Sequence, residues 1–178
     1  TSAGQHLGAP GPENLSSPTN ANGLVQISLL DPAISSASAP NRVRDTTPDL
    51  DNNSPLGTLS VRRTVTNISG VNITRLRFRV VDITTFPAAT GMADLRVRSS
   101  YTPFNVTLSN GSVVTVRGTS LETPPAQPNG GGFNSSLNAH DVTLSQPLAP
   151  GQSINLQFLL GVQQGGTFHF FISVEALF

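Results

Sequence analysis

The sequence predicts an all-β protein, an antiparallel β-sandwich of Ig-like or jelly-roll type with about eight strands and an extended N-terminal arm. Composition supports this class, because 16 Gly and 14 Pro occur among 178 residues that are also rich in Ser, Thr and Asn. Short segments alternate apolar and polar residues and are separated by turn signals. No segment keeps a 3.6-residue period, so we expect helix to be nearly absent.

The chain divides near residue 57 into two predicted parts. Residues 1–57 hold half of the prolines and are expected to form an extended Pro/Ser-rich arm with one strand at 24–30. Residues 58–178 are expected to form the sandwich. A polar, proline-punctuated connection joins that strand to the sandwich, and a structureless connection of this length is uncommon inside a compact domain.

The sandwich strands follow from period-2 alternation. The clearest is 72–83, where Leu76, Phe78 and Val80 alternate with a row of Arg residues. Asn110-Gly111 separates two alternating runs, which is the strongest short hairpin signal. We expect the strands of the domain at 58–67, 72–83, 94–98, 104–109, 112–118, 140–145, 153–162 and 167–178.

The lone strand of the arm has two expected destinations. It either folds back as an edge strand of its own sandwich or completes the sheet of a neighbouring subunit by strand donation. Donation is head-to-tail and does not close, so it would produce filaments of identical copies. The residues that would fill the interface are Leu24, Val25, Ile27, Leu29 and Leu30.

One segment partly matches a calcium loop. Asp49, Asp51 and Asn53 occupy the first three oxygen positions, but Ser54 stands where Gly is wanted and Ser60 replaces the bidentate Glu. We therefore favour an Asx-rich turn, with Ca²⁺ as a weak alternative and no other cofactor expected.

Charged residues allow three interpretations of the Arg-rich strands. The net charge is +0, with 10 basic and 10 acidic residues, so nucleic acid is not an expected partner. An Arg row could grip an anionic glycan, form ion pairs between subunits, or lie on a solvated sheet face balanced by nearby acids. The last interpretation is favoured. The Arg residues concerned are Arg62, Arg63, Arg75, Arg77, Arg79, Arg96 and Arg98, and the acids are Asp82, Asp94 and Glu175.

No catalytic constellation is evident. The three histidines, His6, His140 and His169, lack a nucleophile elbow or metal-ligand spacing, so we expect a non-enzyme. Because the sequence contains 0 Cys, disulfides are excluded. No apolar run is long enough for a membrane helix. Asn-x-Ser/Thr sequons are frequent, and candidate glycosylation positions are Asn67, Asn72, Asn105, Asn110 and Asn134.

Three long strings resemble a β-sandwich domain found at the C-terminal ends of large bacterial cell-surface and secreted proteins. They are RLRFRVVDITTFPAATGMADLRVRSS, PPAQPNGGGFNSSL and LAPGQSINLQFLLGVQQGGTFHFFISVEAL, and the opening QHLGAPGPENLSSP resembles the segment that precedes that domain. The resemblance implies an extracellular or surface-displayed β protein. It carries over no functional residue.

Together these observations predict an extracellular structural subunit that self-assembles into a pilus-like fibre by donating residues 24–30 to a neighbour. Two alternatives belong to other classes. A monomeric adhesion or carbohydrate-binding module should show an aromatic patch, yet there is no Trp and one Tyr, Tyr101. A capsid-type shell subunit usually needs a more basic arm than Arg42 and Arg44 provide.

Overall fold

The computed structural model describes residues 24–122 and 130–178, so His6 and the first part of the arm lie outside the described residues. Within these ranges the chain is all-β, which confirms the predicted class, and no helix in them is long and apolar enough to cross a membrane. The strands are β1 (Val25–Leu29), β2 (Arg42–Asp45), β3 (Thr58–Asn67), β4 (Arg75–Ile83), β5 (Asp94–Arg98), β6 (Phe104–Thr107), β7 (Val113–Gly118), β8 (Ser120–Leu121), β9 (Ser136–Asn138), β10 (Ser153–Gln164) and β11 (Phe170–Leu177).

Two sheets face each other across the core. The larger has the order β1-β3-β10-β7-β6, with β2 also paired to β3 and β5 also paired to β10, and the smaller has the order β11-β4-β9-β8. Alternate residues of the two central strands fill the space between the sheets. Phe78 of β4 meets Phe158 of β10 edge to face, with ring centroids 5.0 Å apart, and both side chains are buried.

A hairpin covers part of the outer face of the larger sheet. Strands β6 and β7 pair with each other, and β7 joins β10 only at its last two residues. Phe104 of the hairpin lies under the Arg62 guanidinium, at 4.9 Å, on the face of β3 that points away from the main core. A second small core therefore forms there, from Leu30, Val106 and Val116.

The prediction of one strand in the arm is wrong. One strand was expected between residues 24 and 57, but the structure has two, β1 and β2, and both pair with β3 of the same chain. The part of the arm from residue 24 onward is therefore built into the larger sheet, and residue 57 does not mark its boundary. The sequence of β2, Arg-Val-Arg-Asp, is too short and too charged for its alternation to predict a strand.

The strand expected at 140–145 is also wrong. This segment forms turns, with Thr143 and Gln146 exchanging backbone hydrogen bonds, and Leu144 is 85% exposed. Val142 alone enters the core. Two apolar residues at period 2 are too few to distinguish a strand from a turn that buries one of them. By contrast, the predicted strands 58–67 and 94–98 coincide with β3 and β5.

Candidate functional site

The predicted interface strand is held inside its own chain by a buried polar anchor. Asn41 is fully buried, and its side chain accepts a hydrogen bond from the Asp31 backbone N–H at 2.8 Å and donates to the Asp31 carbonyl at 2.8 Å. The Asp31 carboxylate accepts hydrogen bonds from the Ser109 backbone N–H, at 2.7 Å, and from the Ser109 hydroxyl, at 3.1 Å. The Ser109 backbone N–H lowers the pKa of Asp31, against an opposing effect of burial. We call Asp31, Asn41 and Ser109 the polar anchor.

The polar anchor fixes the end of β1 against both the loop before β2 and the tip of the β6–β7 hairpin. Nothing in the sequence indicates this anchor, because Asn41 lies in a polar, proline-punctuated connection and Ser109 is at the end of a predicted strand. The partners Asp31 and Ser109 are separated by 78 positions. Only the folded topology brings them together.

The outer edge of β1 has no strand beside it among the described residues. The Ile68 N–H donates to the Leu24 carbonyl, so in this antiparallel register every second residue of β1 bonds to β3. The backbone groups of Val25, Ile27 and Leu29 therefore point to the open edge. Ile27 is 40% exposed although its side chain is on the inner face with Val25.

A second open edge lies on the same side of the sandwich. Strand β11 pairs only with β4 among the described strands. It lies on the β1 and β2 side, because Arg42 of β2 sits over the Phe168 ring at 5.5 Å while β5 and β8 are in contact on the opposite side. Inward-facing residues of β11, such as Ile172, are only partly buried. We call this side, with the free edges of β1 and β11, the open seam.

The calcium candidate forms a hydrogen-bonded turn. Asp49 and Ser54 exchange backbone hydrogen bonds, and the Asp49 carboxylate contacts Asn52 and forms an ion pair with Arg98 at 3.0 Å. The Asn52 amide, and then Arg98, lowers the pKa of Asp49. Asp51 and Asn53 lie in the same turn. Within residues 24–122 and 130–178, no three His, Cys, Asp or Glu residues are grouped to hold a metal ion. Because Asp49 is already neutralised by a cation, Ca²⁺ would have to displace Arg98, and the Asx-rich turn accounts for the geometry.

The Arg row on β4 is part of an ion-pair ladder. Glu175 of β11 pairs with Arg77 and with Arg79, the latter at 2.8 Å, and Glu122 pairs with Arg75 and Arg77. The charges on this face are balanced as expected, but the expected solvation is wrong for its centre, because Arg79 is buried and Glu175 is largely covered. Of the other two expected acids, Asp94 pairs with Arg96 as expected, whereas Asp82 pairs with His169. Glu122 was missed because it follows a two-residue strand that period-2 alternation does not detect.

The two histidines inside the described ranges contact a tyrosine ring and a carboxylate. His140 stacks on Tyr101, with ring centroids 5.5 Å apart, and His169 Nε2 lies 3.0 Å from an Asp82 carboxylate oxygen. Tyr101 is 68% exposed and borders a cleft of about 340 Å³. The polar residues of this cleft, which we call the Tyr101 cleft, are Asp51, Asn52, Asn53, Arg98 and Ser99.

The candidate glycosylation positions divide into two groups. Asn67 is fully buried, and its amide donates to the carbonyls of Val71 and Leu148 at 2.8 and 2.7 Å, so it is a structural residue and no longer a candidate in the folded chain. The other four side chains are at least partly exposed: Asn72, Asn105, Asn110 and Asn134. Modification of these four stays a prediction.

Comparison with known proteins adds no relative to this picture. No family model, curated protein or solved structure matches the chain. The site must therefore be interpreted from its own geometry.

Proposed function

We propose that this chain is a non-enzymatic structural subunit that associates with copies of itself by strand pairing at the open seam. The observation that carries the proposal is the free edge of β1, a five-residue strand without a charge or a proline. Soluble β proteins usually protect such edges with charged side chains, proline or a covering segment. An extracellular, cell-surface location belongs to the same proposal and rests on the resemblance alone.

The geometry changes how the interface strand would act. In the single chain β1 is bonded to β3 in cis and is fastened at its end by the polar anchor. Donation of residues 24–30 to a neighbour would require copies to exchange this strand and to break the anchor. Pairing through the free edge requires neither, so we take edge pairing as the first mode. Strand donation, with the filament growth that it would produce, remains our proposal for a second mode of association.

The strand β11 offers a second edge on the same side. Its sequence Phe-Phe-Ile-Ser-Val-Glu-Ala-Leu contains no Lys, Pro or Gly, and its only charge, Glu175, is bound by Arg77 and Arg79. Among the described residues, its protective feature is a register shift between Phe171 and Ile172. Two apolar edges side by side favour a two-fold arrangement, in which each edge pairs with its own copy.

A proline in β1 tests edge pairing directly. Ile27→Pro removes a backbone donor that points to the open edge, so it leaves the ladder to β3 intact. In a two-fold pair the bond is lost twice, which costs about 1–3 kcal/mol and weakens association roughly 5- to 150-fold. Ile27→Ala is the matched control, since it removes the same side chain and keeps the donor. Sedimentation velocity over a concentration series measures the effect.

Two results would overturn the proposal. One is a wild-type chain that stays monomeric at every concentration. The other is association of Ile27→Pro with the same affinity as Ile27→Ala, since the free edge would then contribute nothing. Thermal unfolding of both variants checks that the sandwich remains folded.

A monomeric carbohydrate-binding module is the second candidate, and the Tyr101 cleft favours it. An exposed ring beside Asp, Asn and Arg side chains is the combination that holds a sugar by stacking and hydrogen bonds. Tyr101→Ala should abolish binding in a glycan array, while Leu144→Ala, an exposed apolar change outside the cleft lining, should not. The absence of any glycan binding by the wild-type chain would eliminate this candidate.

A further inference from the structure

The arginines fall into two groups by their partners. Six of them form ion pairs with a carboxylate, namely Arg75, Arg77, Arg79, Arg96, Arg98 and Arg117. The four on β2 and β3 have no carboxylate partner within the described ranges. These are Arg42, Arg44, Arg62 and Arg63. Among the described residues these four positive charges are thus not balanced by ion pairs, although the formal net charge of the whole chain is +0.

Two of these four guanidinium groups, those of Arg44 and Arg62, bind backbone carbonyls, a side-chain amide or a ring. Arg44 donates to the backbone carbonyls of Asp45, Leu56 and Thr58. Arg62 lies over the Phe104 ring, and its Nε donates to the Gln157 side chain at 2.9 Å. Arg62 is on the outer face of β3, whereas Arg44 shares the inner face of β2 with Arg42 but uses both Nη1 and Nη2 on backbone carbonyls.

Arg42 and Arg63 face the open seam together. Arg42 is opposite Val61 in the β2–β3 register, and Val61 packs on the main core, so Arg42 is on the inner face. Arg63 is two residues further along β3 and shares that face. Diagonal neighbours of this kind are about 7–8 Å apart, which leaves room for one small group between two long side chains. Both residues are partly exposed.

Both side chains are held in place with donors to spare. Arg42 rests on the Phe168 ring, and only its Nε has a described acceptor, the Ala37 carbonyl at 3.2 Å. Arg63 uses Nη1 alone, which donates to the Arg62 carbonyl at 2.7 Å and to the Asn41 carbonyl at 3.4 Å. Burial lowers the pKa of Arg63, and the charge of Arg42 lowers it further, so the two cations repel each other.

The nearest acids along the chain are committed elsewhere. The Asp31 carboxylate is bound to Ser109, and the Asp45 carboxylate accepts a hydrogen bond from the Thr47 N–H at 2.8 Å. Two guanidinium groups that share one face without a carboxylate are unfavourable unless an anion joins them. Planar guanidinium groups bind such an anion through paired hydrogen bonds.

We propose that Arg42 and Arg63 form a binding site for an oxyanion, the carboxylate, sulfate or phosphate group of a ligand that enters the open seam. The site does not depend on self-association, because both arginines belong to one chain. A ligand bound there would contact the remaining donors of both guanidinium groups. It would also neutralise two charges that have no ion-pair partner among the described residues.

Inorganic sulfate and phosphate are the probes for the test. Each is titrated into the full chain at constant ionic strength, kept with NaCl, and binding is followed by NMR chemical shifts and by thermal unfolding. We expect saturable binding that weakens at least about tenfold in both Arg42→Gln and Arg63→Gln, because each removes one charge-assisted partner. The control Arg117→Gln removes the same charge from an exposed ion pair with Asp141 and should bind like the wild type.

The proposal fails if sulfate and phosphate act no more strongly than NaCl, or if Arg117→Gln weakens binding as much as the two site variants. Glu13 distinguishes an external from an internal anion, because it is the one acidic residue outside the described ranges. Binding that appears only in Glu13→Gln would overturn the proposal, since the chain would then supply its own carboxylate. Equal binding in Glu13→Gln and the wild type supports it.

Discussion

The polar anchor makes a quantitative prediction about how firmly β1 is held in its own chain. Asn41 is fully buried, and its amide bridges the Asp31 backbone to the carbonyls of Ile34 and Ser35, at 3.0 and 3.2 Å. Asn41→Ala removes all of these contacts and leaves a buried cavity with stranded backbone groups. The substitution does not touch the core between the two sheets, so its effect reports on the anchor alone.

The expected cost follows from the number of bonds. The side-chain oxygen of Asn41 accepts one hydrogen bond and the amide hydrogens donate two or more, each worth about 1 kcal/mol net. Stranding the buried Asp31 N–H raises the total, so we expect a loss of about 3–4 kcal/mol in the free energy of unfolding. For a domain of this length that lowers the melting temperature by roughly 6–16 °C.

Urea unfolding of the purified chain measures this loss. Asn72→Ala is the matched control, since Asn72 is exposed and its loss should change stability by no more than about 0.5 kcal/mol. A loss below about 1 kcal/mol for Asn41→Ala would refute the reasoning. It would mean that the loop before β2 is not held by this side chain and that β1 is free to leave.

Three further predictions concern the core, the ion-pair ladder and acid stability. Phe158→Ala should cost about 3–5 kcal/mol in urea unfolding, because it leaves a cavity beside Phe78. Glu175→Gln should cost about 2–3 kcal/mol in the same assay, because it removes the carboxylate partner of the mostly buried Arg79 guanidinium; a loss under about 0.5 kcal/mol would contradict the ladder. The folded-state pKa of Asp31 is below its usual value of 3.8, so its ionised form stabilises the fold above that pH and the stabilisation is lost as the pH falls through the folded pKa. The difference in unfolding free energy between the wild type and Asp31→Asn should therefore shrink from pH 6 to roughly pH 3, and a constant difference would contradict the assignment.

Sequence periodicity predicted the strands that have one buried and one solvated face. Strands β3 and β5 coincide with their predicted ranges, and the alternation in β4 placed Leu76 inward and Arg77 outward. In these strands the alternation of apolar and polar residues extends over enough positions to be recognised, even though Arg63 departs from it.

The elements that sequence missed are short. Strands β2, β8 and β9 have four, two and three residues, and no alternation can be recognised over such lengths. They pair because neighbouring strands already present a ladder of backbone groups. The prediction of a strand at 140–145 was wrong for a different reason. Val142 and Leu144 have the spacing of residues on one strand face, but only Val142 is buried.

The candidate site was predicted in part. The apolar strand near the start was found, with its two faces, because its composition contrasts with the polar arm. Its partner in the fold and the polar anchor depend on contacts between distant positions, which a single sequence does not display. The same holds for Arg42 and Arg63, whose common face exists only in the register of β2 on β3.

An engineered disulfide tests most directly whether β1 belongs to its own chain. Gln26 is opposite Thr66 in the β1–β3 register, and residues so paired have Cα atoms about 4.5–5.5 Å apart, within the range of a disulfide. Since the chain has 0 Cys, the double variant Gln26→Cys/Thr66→Cys adds the only two thiols. After oxidation of the assembled protein, non-reducing electrophoresis should show a cross-linked monomer. A ladder of covalently joined copies, absent from each single-cysteine variant, would show that the strand is exchanged between subunits and would contradict the account.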